Sequence, residues 1–106
     1  MDFRSINNQD ALEVHLTGRL VFTDHDRLRD VIAVLDQPLL DQPGTRRLTV
    51  DLSGLEFIDS AGFGMLLILQ EEAEQKGLLM IVRNPRNDVR RALERARMGD
   101  ILNIEY

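Results

Sequence analysis

The chain predicts an α/β fold, with helices packed on a mixed sheet, and two observations carry that expectation. Apolar residues alternate with polar ones at 11–17 and again at 48–52, the period of a half-buried strand. Between and after these segments they recur at three- and four-residue spacing, the period of a helix with one buried face. Strand and helix patterns that take turns along a chain build layered α/β domains. With 106 residues there is room for one core and not for two, so a single domain spanning 1–106 is expected.

A first, weaker strand is expected at 2–6, with Asn7-Asn8-Gln9-Asp10 as the turn that follows. Leu12, Val14 and Leu16 alternate with Glu13, His15 and Thr17 in the second strand, ended by Gly18. Thr23 or Asp24 is placed to cap a helix reaching about Asp36, with Leu28, Val31, Ile32 and Leu35 inward. Pro38, Pro43 and Gly44 make 37–45 a loop. Leu48, Val50 and Leu52 form the third strand, closed by Ser53-Gly54, and a short connection at 55–59 leads to a helix over 60–76, stopped by Gly77. The unbroken apolar run 78–82 predicts a strand covered on both faces. Asp88 opens a last helix with Val89, Ala92, Leu93 and Ala96 inward, and 101–105 can form a final short strand.

Composition narrows the function. There is no cysteine, which excludes disulfides, thiolate metal sites and thiol nucleophiles. The two histidines, His15 and His25, sit in separate elements and give Ser60 no base of the triad kind. Neither a cofactor motif nor a metal site is expected, and the chain reads as a binding protein, not an enzyme. Asp51, Glu56 and Asp59 read as a solvated cluster near a strand end, with an acid–base or metal role as the alternative. No apolar run reaches membrane-spanning length, so direct membrane insertion is not expected and a cytoplasmic location is. The net charge is −5, yet 83–97 holds six arginines against Asp88 and Glu94. An acidic body disfavours nucleic acid, and the arginines read as a solvated helix face.

The informative segment joins the third strand to the 60–76 helix. A hydroxyl at Ser60 can cap the helix by accepting from a free backbone N–H. A phosphate on the same oxygen would meet unpaired N–H groups at the positive end of the helix dipole. The two roles are compatible. Gly62 and Gly64 each cost about 1 kcal/mol of helix propensity relative to alanine, which calls for close approach of another backbone, from within the domain or from a partner. A nucleotide-loop reading of Gly-Phe-Gly is weak, because Leu67 stands where the third glycine is needed. Phe63, Leu66 and Leu67 lie on one side of this helix and Met65, Ile68 and Leu69 on the other. The second stripe, chiefly Met65 and Leu69, is the expected partner surface.

The run Asp59-Ser60-Ala61-Gly62, then Gly64 and an apolar helix, resembles the STAS domain of bacterial anti-sigma factor antagonists. Leu16-Thr17-Gly18-Arg19-Leu20 is similar to that family's early strand, and 90–94 followed by 98–102 to its last helix and terminal strand. The resemblance implies a four- to five-stranded sheet with helices mainly on one face. It implies phosphorylation of Ser60 by a serine kinase of the anti-sigma type and dephosphorylation by a PP2C-like phosphatase, with Asp59, Ala61, Gly62 and Gly64 as the neighbours of the phosphosite. The unphosphorylated form would bind and sequester the anti-sigma factor. The segment Val21-Phe22-Thr23-Asp24-His25 is similar to antagonists that work with a response regulator carrying kinase or phosphatase domains, which adds Phe22, Thr23 and Asp24 to the expected partner surface. The alternative is an unphosphorylated STAS subunit of a membrane ATPase in lipid transport.

Overall fold

A computed structural model describes residues 1–7, 11–36 and 47–106. The expected loop at 37–45 and most of the turn at 7–10 lie outside the described residues. The order is β1 (Asp2–Asn7), β2 (Ala11–Leu20), a 3₁₀ turn (Phe22–Asp24), α1 (His25–Val34), β3 (Arg47–Ile58), α2 (Ser60–Gln75), β4 (Leu79–Arg83), α3 (Asn87–Arg95), a second 3₁₀ turn (Met98–Asp100) and β5 (Ile104–Glu105). The five strands stand in sequence order across one sheet. β1 pairs antiparallel with β2, and the other three pairings are parallel, so the sheet is mixed.

Alternation decides which face is buried. Leu12, Val14, Leu16, Leu48, Val50, Leu52, Met80 and Val82 point to one side and are sealed there by Leu28 and Val31 of α1, Met65, Leu66 and Leu69 of α2, and Val89 and Leu93 of α3. The opposite face carries Glu13, His15, Thr49, Asp51 and Ile81 and has no helix on it among the described residues. The helices therefore pack on one side, as expected. Its consequence for β4 is a correction: Leu79 is 53% exposed, so the apolar run is covered on one face only.

Two boundaries differ from expectation in a way that builds the site. β2 does not end at Gly18. That residue takes a φ of +83°, which glycine adopts without strain, and the strand continues to Leu20. β3 likewise runs past Ser53-Gly54 to Ile58, with shifts of register that pair Arg19 with Phe57 and Leu20 with Ile58. At Gly54 a Cβ would come within 2.8 Å of the Thr17 methyl, so any other residue there must displace the Thr17 side chain for the bulged pair to close. Both strands thus reach the start of α2.

Candidate functional site

Strand β3 hands the chain to α2 through Asp59, and that residue is the N-cap. Its extended backbone (φ −105°, ψ −177°) turns the carboxylate back on the helix, where Oδ1 accepts from the Gly62 amide at 2.8 Å. Oδ2 accepts from the Phe22 amide at 3.1 Å, and the Asp59 amide donates to the Leu20 carbonyl at 3.2 Å. One aspartate thereby ties the end of β2, the 3₁₀ turn and the start of α2 together. The capping role expected of Ser60 belongs to Asp59, one residue earlier.

Ser60 is the first helical residue. It is exposed, and its hydroxyl has no hydrogen-bond partner among the described residues. The oxygen stands at a helix start where the amides of Ser60 and Ala61 precede the intrahelical ladder, which opens with the Phe63 amide donating to the Asp59 carbonyl at 3.2 Å. The two glycines beside it divide. A Cβ at Gly62 would lie 2.6 Å from the Leu20 carbonyl oxygen and 2.6 Å from Ile58 Cγ1, so close approach inside the domain accounts for it. A Cβ at Gly64 would meet nothing within 4 Å. Ala61, Gly64 and Leu67 are half-buried, and Ile68 is 41% exposed. Ser60, Gly64 and Ile68, four residues apart, form the outward stripe of α2, flanked by Ala61 and Leu67, which pack partly against the core.

The expected partner surface on Met65 and Leu69 is overturned. They are 1% and 2% exposed and belong to the core with Gly62, Leu66 and Ala73. The spacing 62, 65, 66, 69, 73 is one face of a helix; the stripe that remains outside contains Ile68, which sequence reading had grouped with the buried pair. Asp24 is a second correction. It is 7% exposed, and its carboxylate accepts from the Val21 amide and the terminal ammonium of Met1, both at 2.8 Å. Burial alone would raise its pKa, but these bonds outweigh it and hold the carboxyl below its usual value. Asp24 holds the turn that positions Phe22 and Thr23, both exposed, with the Phe22 ring edge-on to His25. Phe57, at 41% exposure, was missed; its position in the presumed connection 55–59 hid that it ends a strand beside α2.

The three carboxylates near the strand end do not converge. Asp51 faces the open side of the sheet, where it accepts from the Ser53 amide and hydroxyl and from Asn84. Among the described residues no group of His, Asp and Glu is arranged to hold a metal ion. No helix among them is long and apolar enough to cross a membrane. The α3 arginines are partly paired, Arg90 with Glu94 and Arg91 with Asp88.

The family described as "Mlab, STAS domain" matches residues 6–103, nearly the whole chain. This chain belongs to the STAS domain family. No curated protein matches it in sequence. Solved structures share the STAS fold at low identity. An anti-sigma factor antagonist from Mycobacterium paratuberculosis superposes with a TM-score of 0.71 at 20% identity, covering 97% of this chain and 83% of that one. The Bacillus cell fate determinant SpoIIAA in its phosphorylated form gives 0.63 at 20%, covering 99% and 92%. A sulfate transporter family protein from Wolinella succinogenes gives 0.70 at 19%, covering 92% and 75%. The one-sided, five-stranded arrangement is that of this STAS fold.

Proposed function

We propose that this STAS domain is a phospho-switched binding module of the anti-sigma factor antagonist type, with Ser60 as the phosphoacceptor. The observation that carries the reading is the division of labour at the start of α2. Asp59 supplies the cap, which leaves the Ser60 hydroxyl exposed, unbonded and unnecessary to the fold. In the unphosphorylated state the stripe of Ser60, Gly64 and Ile68, flanked by Ala61, Phe22 and Thr23, binds a serine kinase or anti-sigma factor, or a response regulator carrying such a domain. A phosphate adds about −1.5 to −2 of charge at that edge and removes the binding without melting the helix, because the helix N-terminus favours anions. A PP2C-like phosphatase restores the hydroxyl. The reading asks for no cofactor and no catalysis by this chain.

The test is phosphorylation by serine kinase domains from the same genome with ATP. One phosphoryl group should be added to the wild type and none to Ser60→Ala, and Ser60→Ala should keep its fold and its binding. Labelling that persists in Ser60→Ala would sink the assignment. A second reading, a STAS subunit in a membrane transport complex, draws on the fold neighbour from the sulfate transporter family. It predicts co-purification with a membrane ATPase that Ser60→Asp leaves undisturbed.

A further inference from the structure

We infer that the basic rim around Phe57, at the foot of α2, receives an acidic protein surface whose apolar recess takes the Phe57 ring. The inference rests on the reading that the start of α2 is the docking face, and it names the chemistry of what docks there. Phe57 is 41% exposed, a large apolar surface to leave at the end of a strand. The Arg19 guanidinium lies 4.6 Å from its ring centroid, a cation–π contact. Next to it, Phe57, Ile58, Asp88, Arg91, Ala92 and Arg95 line a recess of about 270 Å³. Ile58 is the residue that Gly62 makes room for, so the recess adjoins the first turn of α2.

The charge around this aromatic runs against the rest of the molecule. Asp88 is the one carboxylate that lines the recess and it pairs with Arg91; neither Arg19 nor Arg95 has a carboxylate partner among the described residues, and Glu56 lines the adjoining recess with Asp88. The chain as a whole carries −5, while 83–97 carries +4, which leaves −9 elsewhere. A partner is therefore attracted at this patch and repelled around it, provided that its own surface is acidic. Three arginines, one already balanced, on an acidic body are too few for nucleic acid, whose binding grows with the number of phosphates neutralised. An exposed aromatic rimmed by arginine is instead the composition of a protein-interface anchor. The same patch explains how a phosphate on Ser60 is read. Its charge of about −1.5 to −2 opposes the positive field of the arginines, so the acidic partner loses attraction as well as fit.

The probes are the serine kinase domains of the same genome, purified singly and titrated against wild type, Phe57→Ala, the double variant Arg91→Gln/Arg95→Glu, Ile68→Asp and Ser60→Asp. Each variant is first checked for an unchanged melting temperature. Wild-type affinity should fall with added salt. The arginine variant should bind about tenfold more weakly at low salt, with most of the salt dependence gone. Phe57→Ala should bind about tenfold more weakly at low and high salt alike. If both bind like wild type while Ser60→Asp and Ile68→Asp do not, the Ser60 switch stands and this inference fails. Labelled duplex DNA bound by wild type but not by the arginine variant would make the patch a nucleic-acid contact and overturn it. Binding by none of the kinase domains would overturn the reading of the site, and this inference with it.

Discussion

At position 62 an added Cβ would press on a backbone carbonyl, and at position 64 it would enter open space. The two substitutions therefore have opposite expected signs. Gly62→Ala gains about 1 kcal/mol of helix propensity but must push Leu20 and Ile58 aside, and overpacking of this kind costs about 1–3 kcal/mol, more where the neighbour is main chain. Gly64→Ala gains the propensity with nothing to displace. Urea denaturation should show Gly62→Ala less stable than wild type and Gly64→Ala more stable by about 0.5–1 kcal/mol. A Gly64→Ala protein that is more stable yet binds its partner more weakly would place the docking face on this residue. Equal stability changes at the two positions would contradict the geometry.

Helix α2 shows how little hydrophobicity alone says about direction. Its first two turns are apolar nearly all round, and the buried stripe runs through Gly62, Met65, Leu66, Leu69 and Ala73. Met65→Asp would bury a charge with no partner, a change expected to cost about 4 kcal/mol or more and to unfold the domain. Ile68→Asp sits on the exposed side and should leave the melting temperature nearly unchanged. Its expected effect is on binding, at least tenfold, or about 1.4 kcal/mol. Circular dichroism separates the two outcomes. An unfolded Ile68→Asp protein would return that residue to the core and remove the outward stripe.

For the molecule as a whole, two buried carboxylates contribute to stability in a way that acid removes. In both Asp24 and Asp51 burial would raise the pKa, and hydrogen bonds outweigh it to leave the folded value below the usual 3.8. The bonds come from the terminal ammonium and Val21 to Asp24, and from Ser53 and Asn84 to Asp51. A folded pKa below the unfolded one means that the unfolded chain binds more protons in acid. The contribution is complete above about pH 5 and is lost as the pH falls through 4 and below. Stability by denaturant titration should be level on this account from pH 7 to 5 and then decline. Asp24→Asn should make that decline shallower; a slope identical to wild type would show that Asp24 is not one of the groups responsible.

By itself the sequence determined the strand and helix periods, the single core and the stop at Gly77, because these rest on local spacing and on residues with few conformational options. It also pointed to a need for glycine at 62, though not to what approaches there. The tertiary structure decided the rest. Whether Met65 or Ile68 faces the sheet depends on how α2 is rotated over β3 and β4, and an all-apolar helix leaves that rotation open. Whether Asp24 is surface or anchor depends on Val21 and Met1 folding back to it, contacts no period encodes. That β3 reaches Ile58, which brings Phe57 beside the Ser60 helix, follows from register shifts in its pairing with β2, and pairing between strands 30 or more residues apart is a property of the assembled sheet.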